Sequence, residues 1–115
     1  RITNWNTDNL QLTQRESRLP YNSKTPGKLE GDHAGHLAGD RFGGSGQLDN
    51  LVSQSKEVNL SSYKKIENQW AKALKDGKNV TTNVNIKYEG NGLRPTEFNV
   101  EYTIDGKYYN KNILN

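Results

Sequence analysis

Apolar residues recur at spacings of three and four through Tyr63, Ile66, Trp70 and Leu74, with Ala71 and Ala73 beside them. That period predicts an amphipathic helix inside the stretch 48–78. Ser61 or Ser62 is placed to cap its start, and Gly77 to end it after KALKDG. Downstream the period changes to two. Val80, Thr82, Val84, Ile86 and Tyr88 share one face of an extended run, and Phe98, Val100, Tyr102 and Ile104 share one face of the next. EGNGLRPTE joins the two strands, and Asp105-Gly106 is a hairpin signal that predicts a short further strand over Lys107 to Tyr109. The pattern reads as α+β, with one main helix packed on an antiparallel sheet. Residues 1–46 lack such periodicity: QLTQRESRL suggests a short strand feeding a turn, and RLPYNSKTPGKLEGD carries two prolines.

Composition narrows this picture. A chain of 115 residues predicts a single domain over 1–115 with one modest core. Apolar residues are 30% of the chain and the mean hydropathy is -1.04, so two Trp, six Tyr and two Phe must supply much of what is buried. No run approaches the ~20 apolar residues of a spanning helix, and RITNWNTDNLQ has neither the basic start nor the apolar stretch of a signal peptide. No membrane insertion by this domain is expected. With no Met in the chain, Arg1 is expected to be an internal position of a longer protein. Zero cysteines exclude disulfides, thiolate zinc sites and cysteine nucleophiles. A net charge of +3 and a pI near 9.1 are compatible with a polyanionic partner.

Chemistry concentrates in GDHAGHLAGDRFGGSG, which holds both histidines of the chain among six glycines. Three readings compete. The glycines are turn punctuation and the histidines incidental. Alternatively, His33, His36, Asp32 and Asp40 form a structural metal module, although without thiolates the spacing fits common zinc sites poorly. The third option, a mononucleotide phosphate loop, is excluded because GGSGQLDN lacks the required Lys followed by Ser or Thr. Further on, Asn59 reads on its own as a helix cap, and Glu67 as part of a solvated charge pattern with Lys64.

The order and spacing of these residues change the balance. A His- and Gly-rich loop is followed by Asn-Leu-x-x-Gln ending at Gln54, then Asn59 five residues later and Glu67 eight after that. This resembles the DNA/RNA non-specific endonucleases, members of the ββα-metal or His-Me finger nucleases. More narrowly, GDHAGHLAGDRFGGSGQLDNLVSQ, IENQWAKALKDGK and RPTEFNVEYTIDGK resemble nuclease domains at the C-terminal ends of bacterial polymorphic toxins. The likeness covers roughly Asp32 to Lys107.

The resemblance implies a ββα-metal core and a metal-dependent endonuclease of DNA, with RNA as an alternative substrate. His36 matches the motif histidine: a neutral imidazole with an unperturbed pKa of about 6.5 can take a proton from water near neutral pH. Asn59 matches the metal-holding asparagine, for Mg²⁺ or Mn²⁺, and Glu67 would hold waters of the ion's shell from the same side of the helix. Arg41, Arg15 and Arg18 are candidates for phosphate contacts, with Arg94 also available, and Gln54 joins the substrate-binding set. By the same likeness the domain is the toxic tip of a secreted protein delivered to a target-cell cytoplasm, blocked by a cognate immunity protein. The alternatives are a catalytically degenerate nucleic-acid-binding domain and the structural metal-binding module.

Two positions depart from the pattern. Relatives carry Asp-Arg-Gly-His or Asp-Gly-Gly-His, whereas Asp32 is followed by His33, Ala34, Gly35 and His36, leaving the motif arginine's role unassigned and His33 as a loop residue of open function. Larger secreted relatives also place an arginine one helical turn after the glutamate, where this chain has Ala71.

Overall fold

The computed structural model describes residues 2–12, 25–37, 42 and 51–115, with His36 and Leu51 described by their backbone. Its elements run β1 (Asn4–Thr7), β2 (His33–His36), β3 (Leu51–Gln54), a wide π-type turn (Val58–Ser62), α1 (Tyr63–Lys75), β4 (Val80–Lys87), β5 (Glu97–Ile104) and β6 (Lys107–Leu114). Among the described residues, one antiparallel sheet has the order β1-β4-β5-β6, and β2 pairs with β3 in a separate two-stranded ribbon.

The period-two stretches form the middle of the larger sheet. Val84 faces Val100, Ile86 faces Phe98 and Thr82 faces Tyr102, all buried on the side that meets the helix. Asp105 and Gly106 adopt φ of 49° and 84°, so the hairpin turns with both central residues left-handed, a geometry that Asp-Gly tolerates well. The strand that follows extends to Leu114, beyond the expected Tyr109. Its length was hidden because β6 is an edge: Ile113 is its buried residue, and the lysines and asparagines elsewhere suit an exposed rim. The opposite edge, β1, pairs with β4 from Asn4↔Asn85 to Thr7↔Thr82. Asparagines knit the outer face, with Asn4 Nδ2 donating to Asn83 Oδ1 (2.8 Å) and to Asn85 Oδ1 (3.0 Å).

α1 lies on the inner face and buries Tyr63, Ile66, Trp70, Ala71 and Ala73. Trp70 is the hub, meeting Phe42, Tyr63 and Tyr102 edge-on at ring-centroid distances of 5.8, 6.3 and 5.9 Å. Such edge-to-face contacts add about 0.5–1.5 kcal/mol each beyond the area they bury, which matters in a thinly apolar chain. Gly77 ends the helix as expected. At φ 77° it donates to the Leu74 carbonyl (3.1 Å) while Lys78 N donates to the Ala73 carbonyl (3.0 Å), satisfying two terminal carbonyls. The start differs from the expected serine cap at 61 or 62. Ser62 already has helical φ and ψ and makes no side-chain cap bond, and helical backbone begins at Lys56. Ser55 is the cap, its Oγ accepting from Val58 N at 3.2 Å.

Candidate functional site

The stretch expected to be a loop contains a strand. HAGH forms β2 and pairs residue for residue with LVSQ of β3: His33↔Gln54, Ala34↔Ser53, Gly35↔Val52, His36↔Leu51. β3 then feeds directly into the helical segment, so strand, strand and helix follow in chain order. Gly35 owes its place here to packing. A Cβ built on it would overlap Oε1, Cδ and Cγ of Gln54 on the neighbouring strand.

Several contacts hold the ribbon against the rest of the domain. Thr25 Oγ1 and Ser53 Oγ share a hydrogen bond of 2.5 Å, and Ser53 Oγ donates to the Pro26 carbonyl (2.9 Å). The side chain of Asn115 closes the other end. Its Nδ2 donates to the carbonyls of Ser53 (2.9 Å) and Pro95 (2.7 Å), and its Oδ1 accepts from Ser55 N (2.8 Å). Tyr63, wholly enclosed, donates through its hydroxyl to the carbonyl of Leu37, the residue after His36 (2.6 Å). Burial first, and the nearby Glu67 charge second, push the Tyr63 phenol well above its ordinary value, so it remains a hydrogen-bond donor.

Asp32, immediately before β2, is held by a bidentate ion pair. Arg94 Nε donates to Asp32 Oδ2 (2.7 Å) and Nη2 to Oδ1 (3.0 Å), while Leu29 N donates to Oδ2 (3.0 Å) and Arg94 Nη1 to the Asn115 carbonyl (2.8 Å). Burial alone would raise the Asp32 carboxyl. The Arg94 hydrogen bonds, the Leu29 N–H and the charges of Arg94 and Lys28 together outweigh it and leave the group below its ordinary value. Asp32 is thereby committed to Arg94, and Arg94, one of the arginines available for phosphate, is committed to Asp32.

The candidate site sits where the ribbon meets the start of the helical segment. Asn59 lies in the wide turn, its backbone N–H donating to the Ser55 carbonyl (3.0 Å) and its side-chain Nδ2 donating to Nδ1 of His33 across the junction (2.8 Å). The sequence carries no local signal of this contact, because 26 residues separate its strand and helix partners. Asn59 is half-buried, and its Oδ1 has no partner among the described residues. Glu67 is a half-buried residue of α1, eight positions along the same helical segment. His36 ends β2, three residues beyond His33, with its backbone opposite Leu51. The His36 imidazole and Arg15, Arg18 and Arg41 lie outside the described residues.

Gln54, expected among the substrate-binding residues, is fully buried, its side chain filling the space above Gly35, and neither Oε1 nor Nε2 has a hydrogen-bond partner among the described residues. Gly35, diagonal to it on the neighbouring strand, leaves room for the long side chain to fold inward.

A small α+β domain whose polar site joins a histidine-bearing two-stranded ribbon to the first turn of a following helix is the class that these features define. A family model described as DNA/RNA non-specific endonuclease matches residues 1–106, and the chain belongs to that family. It is also 40% identical over 124 aligned positions to the type VII secretion system protein EssD of Staphylococcus aureus strain USA300, and equally to that of strain NCTC 8325 / PS 47. These matches cover 100% of this chain and 20% of each relative, so the chain spans about a fifth of their length. Membership places the domain in a family of nucleases, whose substrates are nucleic acids. Among the described residues no helix is long and apolar enough to cross a membrane.

Proposed function

We propose that the chain is a single metal-dependent endonuclease domain with a ββα-metal core, made of β2, β3 and the helical segment that follows. It hydrolyses the phosphodiester backbone of DNA, with RNA as an alternative substrate. The observation that carries this reading is Asn59: its amide nitrogen is engaged by His33, its oxygen has no partner among the described residues, and it faces a strand that ends in His36.

A hard, neutral amide oxygen suits Mg²⁺ or Mn²⁺, which tolerate few protein ligands and keep much of their water. Asn59 would hold the ion through Oδ1, with Glu67 accepting hydrogen bonds from its water shell. When bound, the ion would supply positive charge to offset the negative charge that builds up on the phosphate as the bond breaks. His36 takes the proton from the attacking water as its oxygen bonds to phosphorus; the P–O3′ bond breaks, and the departing O3′ takes up a proton from solvent water to become the hydroxyl. The products are a 5′-phosphate and a 3′-hydroxyl. Arg41, Arg15 and Arg18 bind flanking phosphates, contacts that carry little base information and make cleavage tolerant of sequence.

The EssD relatives, named as secretion-system proteins and five times longer than this chain, support its belonging to a longer secreted protein, in which it would be the toxic C-terminal domain. It would act in the cytoplasm of a target cell and be neutralised in the producer by a cognate immunity protein. Plasmid nicking with Mg²⁺ tests the enzymatic reading. Wild-type protein nicks and His36→Ala does not; absence of cleavage with Mg²⁺, Mn²⁺ and other divalent ions would overturn it in favour of a non-catalytic nucleic-acid-binding domain.

A further inference from the structure

We infer that His33 is a positioning residue for the divalent ion: its imidazole fixes which end of the Asn59 amide faces the metal. The inference rests on the proposed reading of Asn59 as metal ligand. An Asn side chain presents two nearly isosteric ends, one that donates and one that accepts, and only the oxygen can bind a cation. Without a partner to choose between them the two orientations differ little in shape, and one of the two turns an NH₂ group towards the ion.

His33 removes that ambiguity. Asn59 Nδ2 lies 2.8 Å from His33 Nδ1. An amide nitrogen offers only hydrogens, so Nδ1 must present its lone pair and the ring hydrogen resides on Nε2. The bond spends the donating end of the amide on the protein and leaves Oδ1 as the end without a partner among the described residues. Both backbones are held: His33 by pairing with Gln54 in the β2–β3 ribbon, Asn59 by its N–H to Ser55 at the capped start of the helical segment. The imidazole thus meets the amide from a backbone set by the ribbon and offers it an acceptor. Partners of metal ligands act in this way generally, and losing one typically weakens metal affinity by about 10–100-fold.

The test uses Mn²⁺ alone as probe, titrated into the 115-residue chain without nucleic acid and followed by the electron paramagnetic resonance of the free ion. Wild type binds, and Asn59→Ala loses binding. His33→Ala weakens binding on the order of tenfold. His33→Asn, whose Oδ1 can stand where Nδ1 stands, stays within about threefold of wild type, against the order-of-magnitude loss expected when the acceptor is absent. Nitrogen-15 spectra of wild type show hydrogen on Nε2 and a lone pair on Nδ1. Saturating Mn²⁺ restores nicking by His33→Ala, which a generally disordered site would not allow. Unchanged Mn²⁺ affinity in His33→Ala, or equal losses in His33→Ala and His33→Asn, overturns the role assigned to His33 while Asn59→Ala still reports on the metal site. Unchanged affinity in Asn59→Ala overturns both that role and the metal reading beneath it.

Discussion

Arg94→Ala removes a guanidinium that spans the strand-bearing half of the domain, and its cost can be worked from the contacts. The substitution deletes two hydrogen bonds to Asp32 and one to the Asn115 carbonyl. Asp32, whose side chain is 6% exposed, keeps Leu29 N–H as a partner. Stranding a buried charge in this way costs about 3–5 kcal/mol. The Arg94 side chain is 21% exposed, so water can enter the vacated space and the lower end applies, about 3 kcal/mol. At roughly 4 °C per kcal/mol for a domain of this size, melting falls by about 12 °C. Urea unfolding should show a lower midpoint with an unchanged slope. In an Asp32→Asn background the same Arg94→Ala change should cost far less, because no buried charge remains to be stranded.

The pair also has a pH signature. The folded-state Asp32 carboxyl lies below its ordinary value of 3.8, so the stabilisation is complete above that value and is lost as pH falls through the folded pKa. The stability gap between wild type and Arg94→Ala should be flat near neutral pH and close in acid below about pH 4. A loss under about 1 kcal/mol, or a full loss that persists with Asp32→Asn, would refute the assignment of Arg94 to Asp32, since surface pairs contribute no more than that.

Gln54→Met keeps length and volume while removing two buried polar atoms that lack partners among the described residues. Thermal unfolding should show no loss and a gain of up to about 1 kcal/mol, with nicking retained; a fall in nicking without a fall in stability would place Gln54 at the substrate after all. Gly35→Ala overlaps the Gln54 side chain and should cost about 1–3 kcal/mol by overpacking, most of it recovered in Gly35→Ala/Gln54→Ala. If the double variant is no better than the single one, the glycine serves another purpose. Tyr63→Phe strands the Leu37 carbonyl in the core and should cost about 1–2 kcal/mol in urea unfolding; a neutral result would mean that this carbonyl finds another donor.

How much of this was legible in sequence follows from where each signal resides. α1, β4 and β5 were readable because each buries one face of a long, regular element, and a period of 3.6 or 2 survives in Tyr63, Ile66, Trp70 and in the Val80 to Ile86 and Phe98 to Tyr102 series. β1 and β6 are edges with little inward-facing surface, so their backbone pairs with the sheet while their side chains write no pattern. β2 and β3 are four residues each, too short for alternation to show.

For the site, chain order was enough to single out Asn59 and Glu67 on one helical segment, but side-chain partnership was not legible. Asp32 and Arg94 stand 62 positions apart, and the pairing of Asn59 with His33 needs both the ribbon and the helix in place. The glycines misled in an instructive way. Abundant glycine around two histidines suggests a turn, yet Gly35 adopts extended backbone in mid-strand, and its missing Cβ makes room for Gln54 rather than for a bend. One packing fact thus accounts for two features: because Gly35 yields its volume, Gln54 points inward and HAGH can lie flat against LVSQ. That flat pairing in turn holds His33 as a strand residue facing Asn59. The loop residue of open function becomes, by that route, the residue on which the orientation of the candidate metal ligand depends.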